Sequence, residues 1–216
     1  MIFNKHLELK GKHALISPSK YYQLKYDVDS IPDKLNSVYA SDIGTVVHSS
    51  AALNIEKCHK IKTKSGSIDI ILNALWNAGI PDWAIRLADV EKIAETFSLY
   101  VNDSINFSME PEVVLKYTDN CFGTADAISY FSDDRLLRIH DLKTGNIPAH
   151  FEQLEEYAAL FCYEYGIDPK DIQTELRIYQ TGEVFIMNPG FKDIRAVMEK
   201  LKELDAAILE VKDYIP

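Results

Sequence analysis

The chain has 216 residues, of which 47% are hydrophobic and 26% are charged, and it contains no run of about 18 apolar residues. This composition is typical of a globular protein with a substantial core, and it excludes a membrane-spanning chain. Acidic residues outnumber basic ones by 33 to 23, which argues mildly against a protein that coats nucleic acid. The excess does not exclude an enzyme acting on nucleic acid, because bound metal ions reverse the local field of a carboxylate cluster.

Three separated cysteines, Cys58, Cys121 and Cys162, form no CxxC pair. The opening MIFNKHLELK lacks the apolar segment of a signal peptide. We therefore expect reduced thiols, a cytoplasmic protein with no membrane partner, and neither a thiolate metal cluster nor an iron–sulfur cluster.

The first half of the chain predicts helices. A short apolar run over residues 13–16 precedes Ser17, a predicted N-cap. A turn at Gly44 and an N-cap at Thr45 predict a helix that ends near Lys57. Further apolar periodicity predicts a helix over residues 67–79, ended by Gly79 and Pro81, and one long amphipathic helix over residues 82–104.

The second half alternates strands with helices. Three runs rich in β-branched and aromatic residues predict a β meander, and two more predict a hairpin around Thr181-Gly182. We expect one α/β (α+β) domain over residues 1–216, a mixed central sheet flanked by helices: 1–105 mainly helical, 106–190 containing the sheet and the site, and 191–216 a C-terminal helix. The predicted elements are strands over 109–118, 121–131, 135–144, 173–180 and 183–189, a helix over 149–166 closed by Gly166, and a helix over 191–213.

The third strand ends in Asp141-Leu142-Lys143. Residues i and i+2 of a strand share a face, so Asp141 and Lys143 point the same way while Leu142 points into the core. Desolvating either charge is costly, so the pair needs partners, a metal ion or a catalytic task. D-x-K also occurs by chance, and a lone Asp–Lys pair is usually a surface feature.

Neighbouring strands add further carboxylates. Asp126 lies three residues after Gly123, whose missing side chain allows another group to approach the backbone closely. The 15-residue spacing between Asp126 and Asp141 can place these two acids opposite each other in a hairpin. On the first strand, Glu110 and Glu112 have the same parity and are predicted to share a face. Such oxygen ligands suit Mg²⁺ or Mn²⁺, and a lysine beside them can stabilise charge that develops on a phosphate.

Two helices offer polar groups whose roles the sequence leaves open. Gln153 and Tyr157 lie at i and i+4 on one helix face, where Tyr157 is either a boundary core residue or a substrate contact. His48 would lie one turn into its helix, and a lone helix histidine is more often packed than a ligand. The segment EKCHKIKTKSG is either a solvated loop or a phosphate-contacting strip; its basic residues are Lys57, His59, Lys60, Lys62 and Lys64.

The motifs GTVVH, EPEVV, GTAD, HDLKTG and QLEEY occur in an order that resembles RecB-like nucleases of the PD-(D/E)XK superfamily. The chain is most similar to small phage-encoded exonucleases related to the CRISPR-associated RecB-like exonucleases, from about HALISPSKYY to LRIYQ. The resemblance implies a PD-(D/E)XK restriction-endonuclease-like core. The last motif has Asp where many relatives have Glu, and the four cysteines of an iron–sulfur cluster are missing.

The resemblance also implies roles for individual residues. His48, Asp126, Asp141 and the carbonyl of Leu142 would bind two Mg²⁺ or Mn²⁺ ions, and Lys143 would be the catalytic lysine. Glu112 is preferred over Glu110 as the upstream acid. Gln153 and Tyr157 would orient the scissile strand or the lysine, and Lys60, Lys62 and Lys64 are candidate DNA contacts from their charge alone.

The implied activity is that of a metal-dependent DNA nuclease, an exonuclease serving phage recombination or DNA end processing in a bacterial host cell. The alternatives are a structure-specific endonuclease or nickase, and a non-catalytic DNA-binding subunit on the same fold. A sugar- or nucleotide-binding α/β protein is disfavoured because the sequence has no P-loop or GxGxxG motif. The expected partners are DNA and a single-strand annealing or recombination protein, and a homo-oligomer is allowed.

Overall fold

The computed structural model describes His6, Leu7 and residues 16–213. Most of the predicted apolar run over residues 13–16, and most of the opening decapeptide, lie outside this part. Short 3₁₀ helices occur at Pro18–Lys25, Val28–Ser30 and Pro169–Asp171. The longer elements of the described residues are α1 (Ile31–Glu56), α2 (Lys64–Asn77), α3 (Asp82–Leu87), α4 (Val90–Asn106), β1 (Glu110–Thr118), β2 (Cys121–Phe131), β3 (Leu136–Lys143), α5 (Glu152–Tyr165), β4 (Gln173–Gln180), β5 (Glu183–Met187) and α6 (Phe191–Asp213).

The five strands form one mixed sheet in the order β1-β2-β3-β4-β5. Helix α5 connects β3 to β4, so these two strands are parallel, and every other neighbouring pair is antiparallel. The predicted meander and hairpin are confirmed. Thr181 and Gly182 both have positive φ, 53° and 78°, as a tight two-residue hairpin turn requires.

Helices cover both faces of the sheet. One core cluster joins α1–α4 to Ala127, Leu142 and Tyr179 of the sheet. The other joins α5 and α6 to the opposite face, with Leu137 and Ile139 fully buried. The fold is therefore an α/β arrangement with a five-stranded mixed sheet between helical layers. Across the described parts of the chain, no helix combines the length and the apolar character needed to cross a membrane.

The predicted turn at Gly44 and N-cap at Thr45 are wrong, because both residues lie inside α1, which begins at Ile31. Proline in the first turn and an acid at Asp33 favour that earlier start. Gly44 instead serves packing, since a Cβ there would lie 3.3 Å from the Thr144 hydroxyl oxygen. The hydroxyl of Thr45 donates to the Ser41 carbonyl within the helix at 3.0 Å.

The single helix predicted over residues 82–104 is also wrong. The chain leaves the helical region at Ala88, with ψ 138°, and divides the segment into α3 and α4. Asp89 caps the second helix by accepting the backbone N–H of Lys92 at 3.1 Å. The predicted closure of α5 at Gly166, with φ 63°, is confirmed. Helix α2 begins earlier than predicted, at Lys64, where the Thr63 side chain caps it.

Candidate functional site

The candidate site lies where β2 and β3 separate. Their backbone pairing ends at Ala127 and His140, and continuing the register by one residue places Asp126 opposite Asp141. The Oδ2 atom of Asp126 accepts the backbone N–H of Leu142 at 2.9 Å. A carboxylate thus satisfies a strand N–H at the fork, which holds Asp126 beside the end of β3.

Three side chains from different elements converge at this fork. Candidate ligand atoms of His48, Glu112 and Asp126 all lie within 4.8 Å of one another. The Nδ1 atom of His48 lies 3.3 Å from Asp126 Oδ1. His48 lies well inside α1 rather than one turn from its start, and its neighbour Val47 is buried in the core between α1 and the sheet.

The prediction that the two acids of β1, Glu110 and Glu112, share a face is wrong. Glu110 lines a cavity of about 370 Å³ together with Val113 and Ile128, whereas Glu112 lies beside Asp126. The backbone of Glu112 has a φ of 53°, outside the extended region, so the regular alternation of side chains is interrupted at this residue. The preferred acid, Glu112, is the one that reaches the cluster.

Asp141 and Lys143 share a face and contact one another, as predicted. Asp141 is 3% exposed, and its Oδ1 accepts from Lys143 Nζ at 2.8 Å. Leu142 points the other way and is 1% exposed. The second carboxylate oxygen of Asp141 is buried and has no hydrogen-bond partner among the described residues. The pair thus joins a buried carboxylate, one oxygen of which is unsatisfied, to a lysine whose side chain is 31% exposed.

Helix α5 extends the polar chain from Lys143. Lys143 Nζ also donates to Gln153 Oε1 at 2.9 Å, and Gln153 Nε2 donates to the Tyr157 hydroxyl oxygen at 3.3 Å. The tyrosine ring packs against Gly123 of β2, where a Cβ would lie 3.0 Å from Tyr157 Cε1. The close approach predicted for Gly123 is therefore occupied by Tyr157, which is both a boundary packing residue and part of the polar chain.

Negative charge accumulates at the fork and shifts the ionisation of its members. Burial raises the pKa of Asp141, and the Asp126 carboxylate raises it further against the opposing effect of Lys143. Burial and Asp126 likewise raise the pKa of Glu112. For His48, burial lowers the pKa, but the hydrogen bond and charge of Asp126 outweigh it, so that the net shift is upward. After burial, the shifts of Asp141 and Glu112 reflect repulsion from Asp126, whereas the shift of His48 reflects attraction to the same carboxylate.

The donor set fits a small divalent cation. Carboxylate oxygens are the ligands that Mg²⁺ and Mn²⁺ prefer, and a cation would relieve the repulsion among the acids. Of the predicted ligands, His48 and Asp126 lie together with Glu112. Asp141 lies outside that triplet, with one oxygen on Lys143 and the other unpartnered. At Leu142 it is the backbone N–H that contacts Asp126.

The basic residues between the end of α1 and the start of α2 differ in whether they contact other side chains. Lys64 Nζ lies 2.9 Å from Glu91 and 2.8 Å from Glu95, so its charge is already paired. Lys60 donates to the Asn106 side chain, while Lys57, His59 and Lys62 are exposed. The interpretation as a phosphate-contacting strip thus applies best to the exposed members, and the solvated-loop interpretation stays open for them.

Sequence reasoning missed two residues near the site. Tyr100 of α4 is buried, and after burial the charges of Asp126, Asp141 and Glu112 are the main causes that raise its pKa. An aromatic residue on an apolar helix face gives no signal beyond core packing. Gln180 is a buried amide at the end of β4; a polar residue that closes an apolar strand is the signal that marks it.

Comparisons with protein-family models and with curated proteins give no significant match to this sequence. The resemblance to RecB-like nucleases therefore rests on the motif residues alone.

Proposed function

We propose that this protein hydrolyses phosphodiester bonds in DNA with Mg²⁺ or Mn²⁺, as an exonuclease with a RecB-like PD-(D/E)XK core. One observation carries the proposal: the His48–Glu112–Asp126 triplet adjoins the buried Asp141 carboxylate and its partner Lys143 at a single fork of the sheet. Carboxylates kept in mutual repulsion cost stability unless they serve a ligand, so their convergence favours a cation site.

Four residues of the chain are proposed to hold the cation. His48, Glu112 and Asp126 would hold the cation, with the unpartnered oxygen of Asp141 as the nearby acceptor that completes the site. When bound, Mg²⁺ or Mn²⁺ supplies Lewis acidity toward a phosphoryl oxygen and lowers the pKa of a bound water.

Lys143 supplies the positive charge that stabilises the phosphate as negative charge develops on it. Asp141 and Gln153 hold its ammonium from two sides, at 2.8 and 2.9 Å, which fixes the direction in which the remaining N–H group points. Tyr157 orients Gln153 through their hydrogen bond. Preorganised charge of this kind needs no rearrangement during the reaction.

An open cavity at the His48–Glu112–Asp126 triplet would give the substrate access to these residues. His48, Glu112 and Asp126 line a cavity of about 430 Å³, and the other residues that α1 contributes to its lining are small: Ala40, Ser41, Gly44, Thr45 and Ser49. Small residues leave room for a nucleic-acid backbone to approach the acids. The net charge of −10 does not oppose this, because bound cations would offset the carboxylates where the phosphates lie.

The preference for an exonuclease, with a recombination or annealing protein as partner, derives from the family resemblance. The test is incubation of end-labelled linear DNA and closed circular DNA, single- and double-stranded, with Mg²⁺, Mn²⁺ or EDTA. The proposal expects metal-dependent release of nucleotides from linear DNA while circles persist. Cutting of circles would identify an endonuclease or nickase, and binding without any cutting would identify a DNA-binding subunit. An Asp126→Asn variant separates this activity from a contaminating nuclease.

A further inference from the structure

The loop over residues 144–149 connects the candidate lysine to α5, and the side chain of Gln180 holds it. Gln180 Nε2 donates to the Gly145 carbonyl at 2.8 Å and to the Ile147 carbonyl at 2.7 Å. Its Oε1 accepts the backbone N–H of Ala149 at 3.2 Å. One buried amide, 6% exposed, therefore satisfies three backbone groups of a loop that has no regular secondary structure.

The position of Gln180 in the sheet ties this loop to Lys143. The two residues are register partners at the ends of the parallel strands β3 and β4. Paired residues of neighbouring strands point to the same face, so the Gln180 side chain lies beside Lys143 on the side of α5. The loop held by Gln180 starts directly after Lys143 and ends just before the helix that carries Gln153.

The turn that follows Gln180 is anchored to helix α4. Thr181 and Gly182 form this tight turn, and the backbone N–H of Gly182 donates to the Thr96 hydroxyl of α4 at 2.8 Å. The contacts run from the buried Thr96, through this turn and the Gln180 amide, to the loop that lies between Lys143 and Gln153.

We infer that Gln180 is a positioning residue of the candidate active site. It holds the loop over residues 144–149 in the shape that lets Lys143 contact Asp141 and Gln153 together. The inference rests on the proposed function for its kinetic consequence, because an ammonium displaced by about 1 Å can cost about a hundredfold in rate.

The experiment compares Gln180→Met and Gln180→Glu with the wild type. Methionine keeps the volume and loses all three bonds. Glutamate keeps an acceptor for Ala149 but faces the carbonyl oxygens of Gly145 and Ile147 without donors. Both variants should lower kcat for DNA cleavage at least about tenfold with little change in Kd for DNA. The amide of Ala149 should lose exchange protection more in Gln180→Met than in Gln180→Glu.

Asn102 supplies a matched control. Its amide accepts from the Ile61 backbone N–H at 2.8 Å and donates to the Ile61 carbonyl at 2.9 Å, so it holds the α1–α2 loop in the same manner, away from Lys143. Asn102→Leu should lower the melting temperature and leave kcat unchanged at temperatures where the variant is folded.

A readout without DNA separates this inference from the proposed function. In the wild type, Asp141 and Gln153 hold the Lys143 ammonium, so acylation of Lys143 by an amine reagent, followed by mass spectrometry, should be slow. Acylation should accelerate in both Gln180 variants but not in Asn102→Leu. Unchanged Lys143 reactivity and loop exchange in the folded Gln180 variants would overturn the inference, whether or not the wild type cuts DNA. A wild type inactive on every DNA substrate would overturn the proposed function instead.

Discussion

Asp126 Oδ2 accepts the backbone N–H of Leu142 at 2.9 Å, at the level where β2 and β3 stop pairing. This bond joins the acid of one motif to the backbone of the next and holds Asp126 opposite Asp141. One oxygen of Asp126, Oδ2, therefore has a structural role, while the other, Oδ1, faces His48 in the candidate cation site.

Asp126→Asn tests the cation site through stability. The asparagine oxygen can still accept from Leu142, while the loss of charge removes repulsion from Asp141 and Glu112. The substitution also removes the charge that faces His48 at 3.3 Å, so the response to metal, rather than the melting temperature of the apo variant, is the readout. Mg²⁺ or Mn²⁺ at a hundredfold excess over Kd should stabilise the wild type by about 2.7 kcal/mol and leave the variant unchanged.

Thermal melting with and without metal measures this difference, and Asp141→Asn is expected to behave in the same way. Asp119→Asn is the control, because Asp119 lies in the β1–β2 turn and pairs with Lys116. An equal response to metal in the wild type and in Asp126→Asn would contradict the assignment of Asp126 as a ligand.

Lys143→Ala tests the catalytic lysine. Removing a charge that acts in the transition state should lower kcat by at least about a hundredfold while DNA binding and the response to metal persist. Single-turnover cleavage of end-labelled DNA gives the measurement, with Lys200→Ala as the control because Lys200 pairs with Glu203 on the surface of α6. Cleavage by Lys143→Ala at the wild-type rate would remove Lys143 from the mechanism.

Gly123→Ala tests the placement of Tyr157. The new methyl group would lie 3.0 Å from Tyr157 Cε1, so the ring and its hydrogen bond with Gln153 must shift. We expect a stability loss of about 1–3 kcal/mol from overpacking and a kcat about tenfold lower, measured below the melting temperature. Gly66→Ala is a similarly tight substitution, 3.1 Å from the Thr63 hydroxyl oxygen, and should keep the wild-type kcat. A wild-type kcat for Gly123→Ala as well would show that the ring position is irrelevant to cleavage.

The lysine segment is tested by the salt dependence of DNA binding. If Lys57, Lys60 and Lys62 bind phosphates, each alanine substitution among them should reduce the slope of log K against log salt by about 0.7–0.9. Lys64→Ala should change the slope little, because Glu91 and Glu95 already neutralise Lys64. Filter binding or fluorescence anisotropy at several salt concentrations gives the slopes. An unchanged slope for the triple variant would identify the segment as a solvated loop.

The sequence by itself determined the features that depend on local periodicity. Alternation placed Asp141 and Lys143 on one strand face with Leu142 opposite, and the spacing of Gln153 and Tyr157 placed them one helical turn apart. The meander, the final hairpin and the closure of α5 at Gly166 followed from β-branched runs and turn residues. These signals are local because strand and helix geometry repeats every few residues.

Only the tertiary structure decided where distant or irregular residues lie. Gly44 is predicted to form a turn, but it allows α1 to pack against Thr144. The amphipathic pattern over residues 82–104 predicts one continuous helix, but Asp89 caps a second helix within it. Positive φ at Glu112 separates it from Glu110, which no parity rule predicts. His48 meets Asp126 only because α1 packs against β1 and β2. Such contacts join residues far apart in the chain, so packing of whole elements, rather than local propensity, fixes them.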